Sequence, residues 1–108
     1  MQLNVYLSGE IHTDEGQGYW RDHRSAKINA MRTKTLIEAC DIAVIRFGDK
    51  YKQWNAAFDA GYCAALNKPY ITLHSEDIIH PLKEVDGAAH AWATDVRQVV
   101  ETLRYLLK

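Results

Sequence analysis

At 108 residues, 47% hydrophobic and 25% charged, the chain has the size and composition of one ordinary globular domain. It contains no apolar run of about eighteen residues, which excludes a membrane-spanning helix. A formal net charge of −1 argues against a dedicated DNA- or RNA-binding surface.

The start, Met1-Gln2-Leu3-Asn4-Val5-Tyr6, lacks the basic region and apolar stretch of a secretory signal, so a cytoplasmic location is expected. Residues 3–8 alternate apolar and less apolar side chains, as a strand does. Gly9 ends that strand, and residues 10–19 read as a flexible loop. From about Asp22 to Ala39, the apolar residues Ile28, Met31, Leu36 and Ala39 recur at helical spacing, with Ser25 or Asp22 as the cap. Asp41 leads into Ile42-Ala43-Val44-Ile45-Arg46-Phe47, an apolar run that marks a strand covered on both faces.

Asn55 can cap the next helix, Ala56 to Leu66, which Asn67-Lys68-Pro69 stops. Tyr70-Ile71-Thr72-Leu73 is a third strand, and a polar loop carrying Pro81 follows His74. The last helix, Asp95 to about Leu107, places Val96, Val99, Val100, Leu103, Tyr105, Leu106 and Leu107 largely on one side. Strand and helix alternate throughout, which predicts βαβ units and a parallel sheet with helices on its faces. Ligands of such sheets gather at the carboxyl ends of the strands. Cys40 and Cys63 fall in the predicted helices among apolar neighbours, in no metal or redox spacing, and read as reduced core residues.

Asp59 stands out. It is the one carboxylate in an otherwise apolar helix, at or just after the first turn, where the helix dipole favours an anion by about 0.3–1 kcal/mol. That does not offset full burial. The acid must therefore face the crevice, find a hydrogen-bond partner or accept a raised pKa. An N-terminal helix acid that only satisfies the dipole is the plain alternative. The rest of the helix has no charged side, and Ala57, Gly61, Ala64 and Ala65 allow close approach by another helix, so a homodimer interface is expected there.

The segments VYLSGEIH, INAMRTKTLIEACDIAVIRFGDKYKQWNAAFDAGYCAALNKPYITL and IIHPLKEV together resemble the YtoQ family of small bacterial proteins. That family is similar in turn to the nucleoside 2-deoxyribosyltransferases. The resemblance covers most of the chain, and FGDKYKQWNAAFDAGY is its most specific part. It implies one α/β domain over residues 1–108, a three-layer flavodoxin- or Rossmann-like parallel sheet with helices on both faces. In the wider group a Glu followed by a small residue, Gly and an aromatic or Ala is the nucleophile that takes the sugar from the base. Carried onto this sequence, that position is Asp59, followed by Ala60, Gly61 and Tyr62. The first strand with its Gly, Tyr6-Leu7-Ser8-Gly9, resembles the part of that group beside base and sugar, and Glu10 follows at the strand's carboxyl end.

The sequence departs from that pattern in three ways. Asp is one methylene shorter than Glu, and a misplacement of about 1 Å can cost on the order of a hundredfold in rate. An Asp that helps hold the nucleoside in the wider group has Thr33 as its nearest counterpart. Family members carry several tens of additional residues between the portions matching IHTD and WRDHRSAKI, whereas here Asp14 runs through residues 15–19 into Trp20. That piece would supply a helix and a strand outside the first one. Without it the first strand is an exposed edge, an aggregation risk, which favours a segment left out near residues 14–20 over a shortened protein.

Glycosyl transfer needs a carboxylate to attack the anomeric carbon and a donor or cradle for the departing base. Tyr51, Asn55, Asp49 and His74 are candidates by location, although a His at a strand end is more often structural. Trp54 has the face to stack on a base, or is a packing residue before the helix. Arg46 interrupts an apolar strand and should need a partner or an anionic ligand. Arg21, Arg24, Lys27, Arg32 and Lys34 read as a solvated helix face before they read as a phosphate site. His74, Asp77, His80 and Glu84 follow no metal-ligand spacing, and no metal or other cofactor is expected. The expected partner is a small-molecule nucleoside or nucleotide, with no nucleic acid and no membrane. The alternative is a non-catalytic nucleotide-binding homodimeric module of the same fold.

Overall fold

The structure, a computed structural model, describes residues 2–8, 19–48 and 54–108, with residues 19–26 described by backbone alone. Its elements are β1 (Val5–Ser8), α1 (Tyr19–Ala39), β2 (Ile42–Arg46), α2 (Trp54–Ala65), β3 (Tyr70–Leu73), a 3-10 turn (Glu76–Ile78), α3 (Lys83–Ala88), β4 (Ala91–Ala93) and α4 (Val96–Leu106). The four strands lie in the order β1-β2-β3-β4, all parallel, so β1 is an edge among the described residues.

Alternation of side chains along the strands divides the core into two layers. On one face Ala43, Ile45, Phe47 and Tyr70 pack with Ile37 and Cys40 at the end of α1 and with Ala56, Ala60 and Cys63 of α2. On the other face Ile42, Val44, Ile71, Leu73 and Ala93 meet Val99 and Leu103 of α4. This is the three-layer α/β arrangement that the alternating pattern predicts. β2 is buried at every position but its last, as a strand covered on both faces must be.

Local chemistry fixes the element ends. Asp95 caps α4, its carboxylate accepting from the Gln98 amide at 2.9 Å. Asn67 closes α2 at φ 58°, with Asn67 N–H donating to the Ala64 carbonyl and Lys68 N–H to the Cys63 carbonyl. That paired closure uses up orphan helix carbonyls and needs a residue that tolerates the left-handed region, which Asn does. Lys68 then donates its ammonium to the Glu38 and Cys40 carbonyls at the end of α1. Asn4 and Asp41 exchange hydrogen bonds, the Asn4 amide to the Asp41 carboxylate and the Asp41 amide to the Asn4 carbonyl, both 2.8 Å. Burial pushes the Cys40 thiol up and the Cys63 thiol to about 11, so both stay protonated at neutral pH.

Several expectations need correction. α1 begins at Tyr19, so Asp22 and Ser25 lie inside the helix rather than at its cap. Its inward face is Ile37 and Cys40, with Ala30 and Thr33 half-buried, while Ile28, Met31, Leu36 and Ala39 are exposed. Both sets have helical spacing, and only the packing on β2 chooses between them. α2 begins at Trp54, which puts Asn55 inside the first turn instead of at the cap. Only Val99 and Leu103 of the α4 stripe point inward; Val96, Val100, Tyr105, Leu106 and Leu107 are exposed. The stretch after His74, expected as a polar loop, holds the 3-10 turn, α3 and β4.

Candidate functional site

The carboxyl ends of β1 and β2 face the start of α2, and Asp59 is brought there. It lies in the second turn of α2, beyond the unpaired amides of the first, so the dipole of the helix start does little for it. Its side of the helix, with Ala56, Ala60 and Cys63, is the one turned to the sheet, and Asp59 is only 8% exposed.

One hydrogen bond serves this carboxylate among the described residues: the Ser8 hydroxyl at the end of β1 donates to Oδ2 at 2.6 Å. Burial raises the Asp59 pKa above 3.8, and the Ser8 bond works against that rise. Two of the expected outcomes, a partner and a raised pKa, therefore hold together. One short hydroxyl is too little to neutralise a buried charge fully, so the acid keeps spare hydrogen-bonding capacity.

Tyr6 lies on the same face of β1 as Ser8, half-buried against the first core layer. Burial raises its phenol pKa, a hydrogen bond with Thr33 of α1 lowers it, the Asp59 charge raises it and the Arg32 charge lowers it. Thr33 is thus tied to Tyr6. Arg46, at the last position of β2, is exposed. Trp54, 74% exposed, and Asn55, also exposed, stand in the first turn of α2. Gly9, Glu10, Asp49 and Tyr51, with Lys50 and Lys52, lie outside the described residues. Lys27, Arg32 and Lys34 are exposed, and Lys34 sits 5.9 Å from the rings of both Phe58 and Tyr62.

A second polar constellation, which the sequence reading did not assemble, lies at the end of β3. His74, 3% exposed, has Nε2 at 2.7 Å from Asp86 Oδ2 and Nδ1 at 2.8 Å from the Ser75 carbonyl oxygen. The Thr72 hydroxyl donates to Asp86 Oδ1 at 2.7 Å, and the Tyr70 hydroxyl donates to the Val85 carbonyl at 2.8 Å. Trp92 of β4 stacks on the imidazole with centroids 5.7 Å apart and planes 7° apart. Both ring nitrogens face oxygens of the protein itself, so the imidazole is engaged within the fold. The signal for this cluster was Thr72 and His74 at alternate strand positions on one face, awaiting an acid.

A shallow groove of about 180 Å³ lies between α2 and α3, lined by Ala57, Ala60, Gly61 and Ala64 with Glu84, Val85 and Ala88 opposite. Asp59 is not among its lining residues. Of the small α2 residues expected to admit a neighbouring helix, Ala57, Gly61 and Ala64 line one wall of it and Ala65 does not.

The family model described as nucleoside 2-deoxyribosyltransferase YtoQ matches residues 9–107. A Bacillus subtilis (strain 168) protein described as uncharacterized protein YtoQ is 40% identical over 102 residues, which are 94% of this chain and 69% of that protein. Together with the parallel α/β sheet, these matches show that the chain belongs to the nucleoside 2-deoxyribosyltransferase YtoQ family.

Proposed function

We propose that this protein cleaves the N-glycosidic bond of a nucleoside or nucleotide, by transfer or hydrolysis, with Asp59 as the nucleophile. The observation that carries the reading is a buried carboxylate held against the sheet at the strand ends, with the Ser8 hydroxyl as its one hydrogen-bond partner among the described residues. In this mechanism an Asp59 oxygen attacks the anomeric carbon and the carbon–nitrogen bond breaks, its electron pair leaving with the base, which takes up a proton. Water, or the nitrogen of a second base, then attacks the same carbon and returns the carboxylate. Ser8 holds the acid in its attacking rotamer and favours its ionised form.

Tyr6, Ser8, Gly9, Glu10, Arg46, Asp49, Tyr51, Trp54 and Asn55 form the substrate surround in this reading, with the exposed Trp54 ring as a stacking face worth about 1–3 kcal/mol per base. The whole chain acts as one domain. Asp59 must be ionised to attack, and its pKa lies above 3.8, so base release should fall on the acid side at a pH above that of an ordinary aspartate. The test is base release from a panel of nucleosides and nucleotides by wild type, Asp59→Ala and Asp59→Asn. Loss in both variants is expected; unaltered release in both removes Asp59 from the mechanism.

The open groove favours a second reading, a nucleotide-binding homodimer that does no chemistry. A Cβ at Gly61 would meet open space, so Gly61→Leu leaves an isolated chain intact but blocks a helix seated in the groove. In light scattering at micromolar concentration, a dimer that becomes a monomer on this substitution supports the interface; a wild-type monomer removes it. Ligand-dependent thermal shift without base release would favour binding over catalysis.

A further inference from the structure

α2 carries a projection next to a recess. Phe58 is 54% exposed in the middle of an apolar helix, and the Lys34 ammonium of α1 lies 5.9 Å from its ring. The same ammonium is 5.9 Å from the ring of Tyr62, whose hydroxyl donates to Glu38, so the carboxylate one turn along α1 is already taken. On the other side of Gly61 lies the groove of about 180 Å³ against α3, with Glu84 on its far wall. Among the described residues neither Lys34 nor Glu84 has an ion pair.

The helical repeat makes Phe58 and Gly61 neighbours on α2, with Ala57 and Ala64 beyond Gly61. Across this face of the molecule the order is therefore Lys34, Phe58, Gly61, the groove and Glu84. A two-fold axis through Gly61 lays a second copy over that row in reverse. Phe58 of the second copy then meets the groove, and its Lys34 meets Glu84. Size and charge both fit. An apolar cavity of roughly 150 Å³ takes a benzene ring, so this groove has room for a phenyl side chain. Its one charged wall residue is a carboxylate, and the ring that would enter arrives with a cation beside it.

We propose that two copies of this chain associate by each seating its Phe58 ring in the other's α2–α3 groove, with Lys34 of each against Glu84 of the other. The seating rests on the reading of that groove as an interface between copies, and it names what fills the groove. Two aromatic anchors in two pockets supply the affinity. The two charge pairs at the margin fix register and exclude wrong partners more than they add strength. Asp59 lies on the side of α2 turned to the sheet, so the interface and the carboxylate use different sides of one helix.

Sedimentation equilibrium over a dilution series tests this, on wild type, Phe58→Ala, Gly61→Leu, Lys34→Glu, Glu84→Lys and the double reversal of Lys34 and Glu84. Wild type should be a dimer, and Phe58→Ala should raise its dissociation constant at least about thirtyfold. Each single charge reversal sets like charges against one another twice per dimer and should weaken it about tenfold. The double reversal should return to within about threefold of wild type, an outcome that a mere loss of folding in the single variants would not give. A dimer broken by Gly61→Leu but unchanged by Phe58→Ala overturns this seating and leaves the groove as an interface. A double reversal no tighter than the singles overturns the Lys34–Glu84 pairing. A wild-type monomer throughout removes the seating and the interface together.

Discussion

Asp59 and Asp86 are two largely buried acids held by helices on the same face of one parallel sheet, and their surroundings differ in kind. Asp86 has both oxygens engaged, one by the Thr72 hydroxyl and one by the His74 ring. Among the described residues Asp59 has one hydroxyl on one oxygen, and burial raises its pKa. A satisfied acid holds structure; an under-served one costs stability and keeps lone pairs for a ligand. In the proposed reading the β1 end of the sheet is the site, and the β3 end, with both Asp86 oxygens engaged, is a fastening.

That contrast breaks first at Asp59. Asp59→Ala should leave a folded protein whose base release, measured per folded molecule, is down at least about a thousandfold. Asp59→Asn should be equally inactive yet melt at a higher temperature at neutral pH. A raised pKa means the folded state holds the proton more tightly, so Asp59's contribution is favourable below 3.8 and is lost as pH rises through its raised value. The melting difference between Asp59→Asn and wild type should accordingly shrink as pH falls towards 3.8.

Asp86→Ala should do the reverse, costing about 3 kcal/mol in urea unfolding because it strands His74 and Thr72 without their acceptor. Its base release per folded molecule should be near wild type. Ser8→Ala sharpens the β1 side: losing a charge-assisted bond of about 1.5 kcal/mol should lower the rate about tenfold near neutral pH and move the acid limb of the pH profile upward. Smallest is Asp95→Ala, remote from both acids, which removes the α4 cap for about 1 kcal/mol of stability with no change in catalysis.

The sheet-forming parts of this architecture were readable where one rule dominates. β2 is a continuous apolar run, α2 ends at Asn67-Lys68-Pro69, and α4 opens on Asp95, each by local chemistry. α3 and β4 were not readable. Ala88-Ala89-His90-Ala91-Trp92-Ala93 carries no β-branched residue, and its three-residue strand exists because β3 offers an open edge. The inward face of α1 was misread because Ile28, Met31 and Leu36 are as apolar as Ile37, and tertiary packing decides. Asp59 was legible as an anomaly of composition. Its partner was not, since Ser8 lies 51 residues away and meets it only through the fold. The His74–Asp86 pair was missed because Asp86 falls in a segment that looked like loop.

Among the described residues β1 is an edge strand, and its Leu7 is 73% exposed.

The central claim is that the Asp59 oxygen forms a bond to the sugar. Intact-mass and peptide mass spectrometry after incubation with a 2′-fluoro nucleoside, which slows breakdown of a glycosyl-enzyme, reads that bond directly. The expected result is a mass increase of one glycosyl unit on the peptide containing Asp59, absent in Asp59→Ala. A glycosyl adduct on a different residue, or wild-type base release by Asp59→Ala, would contradict the account.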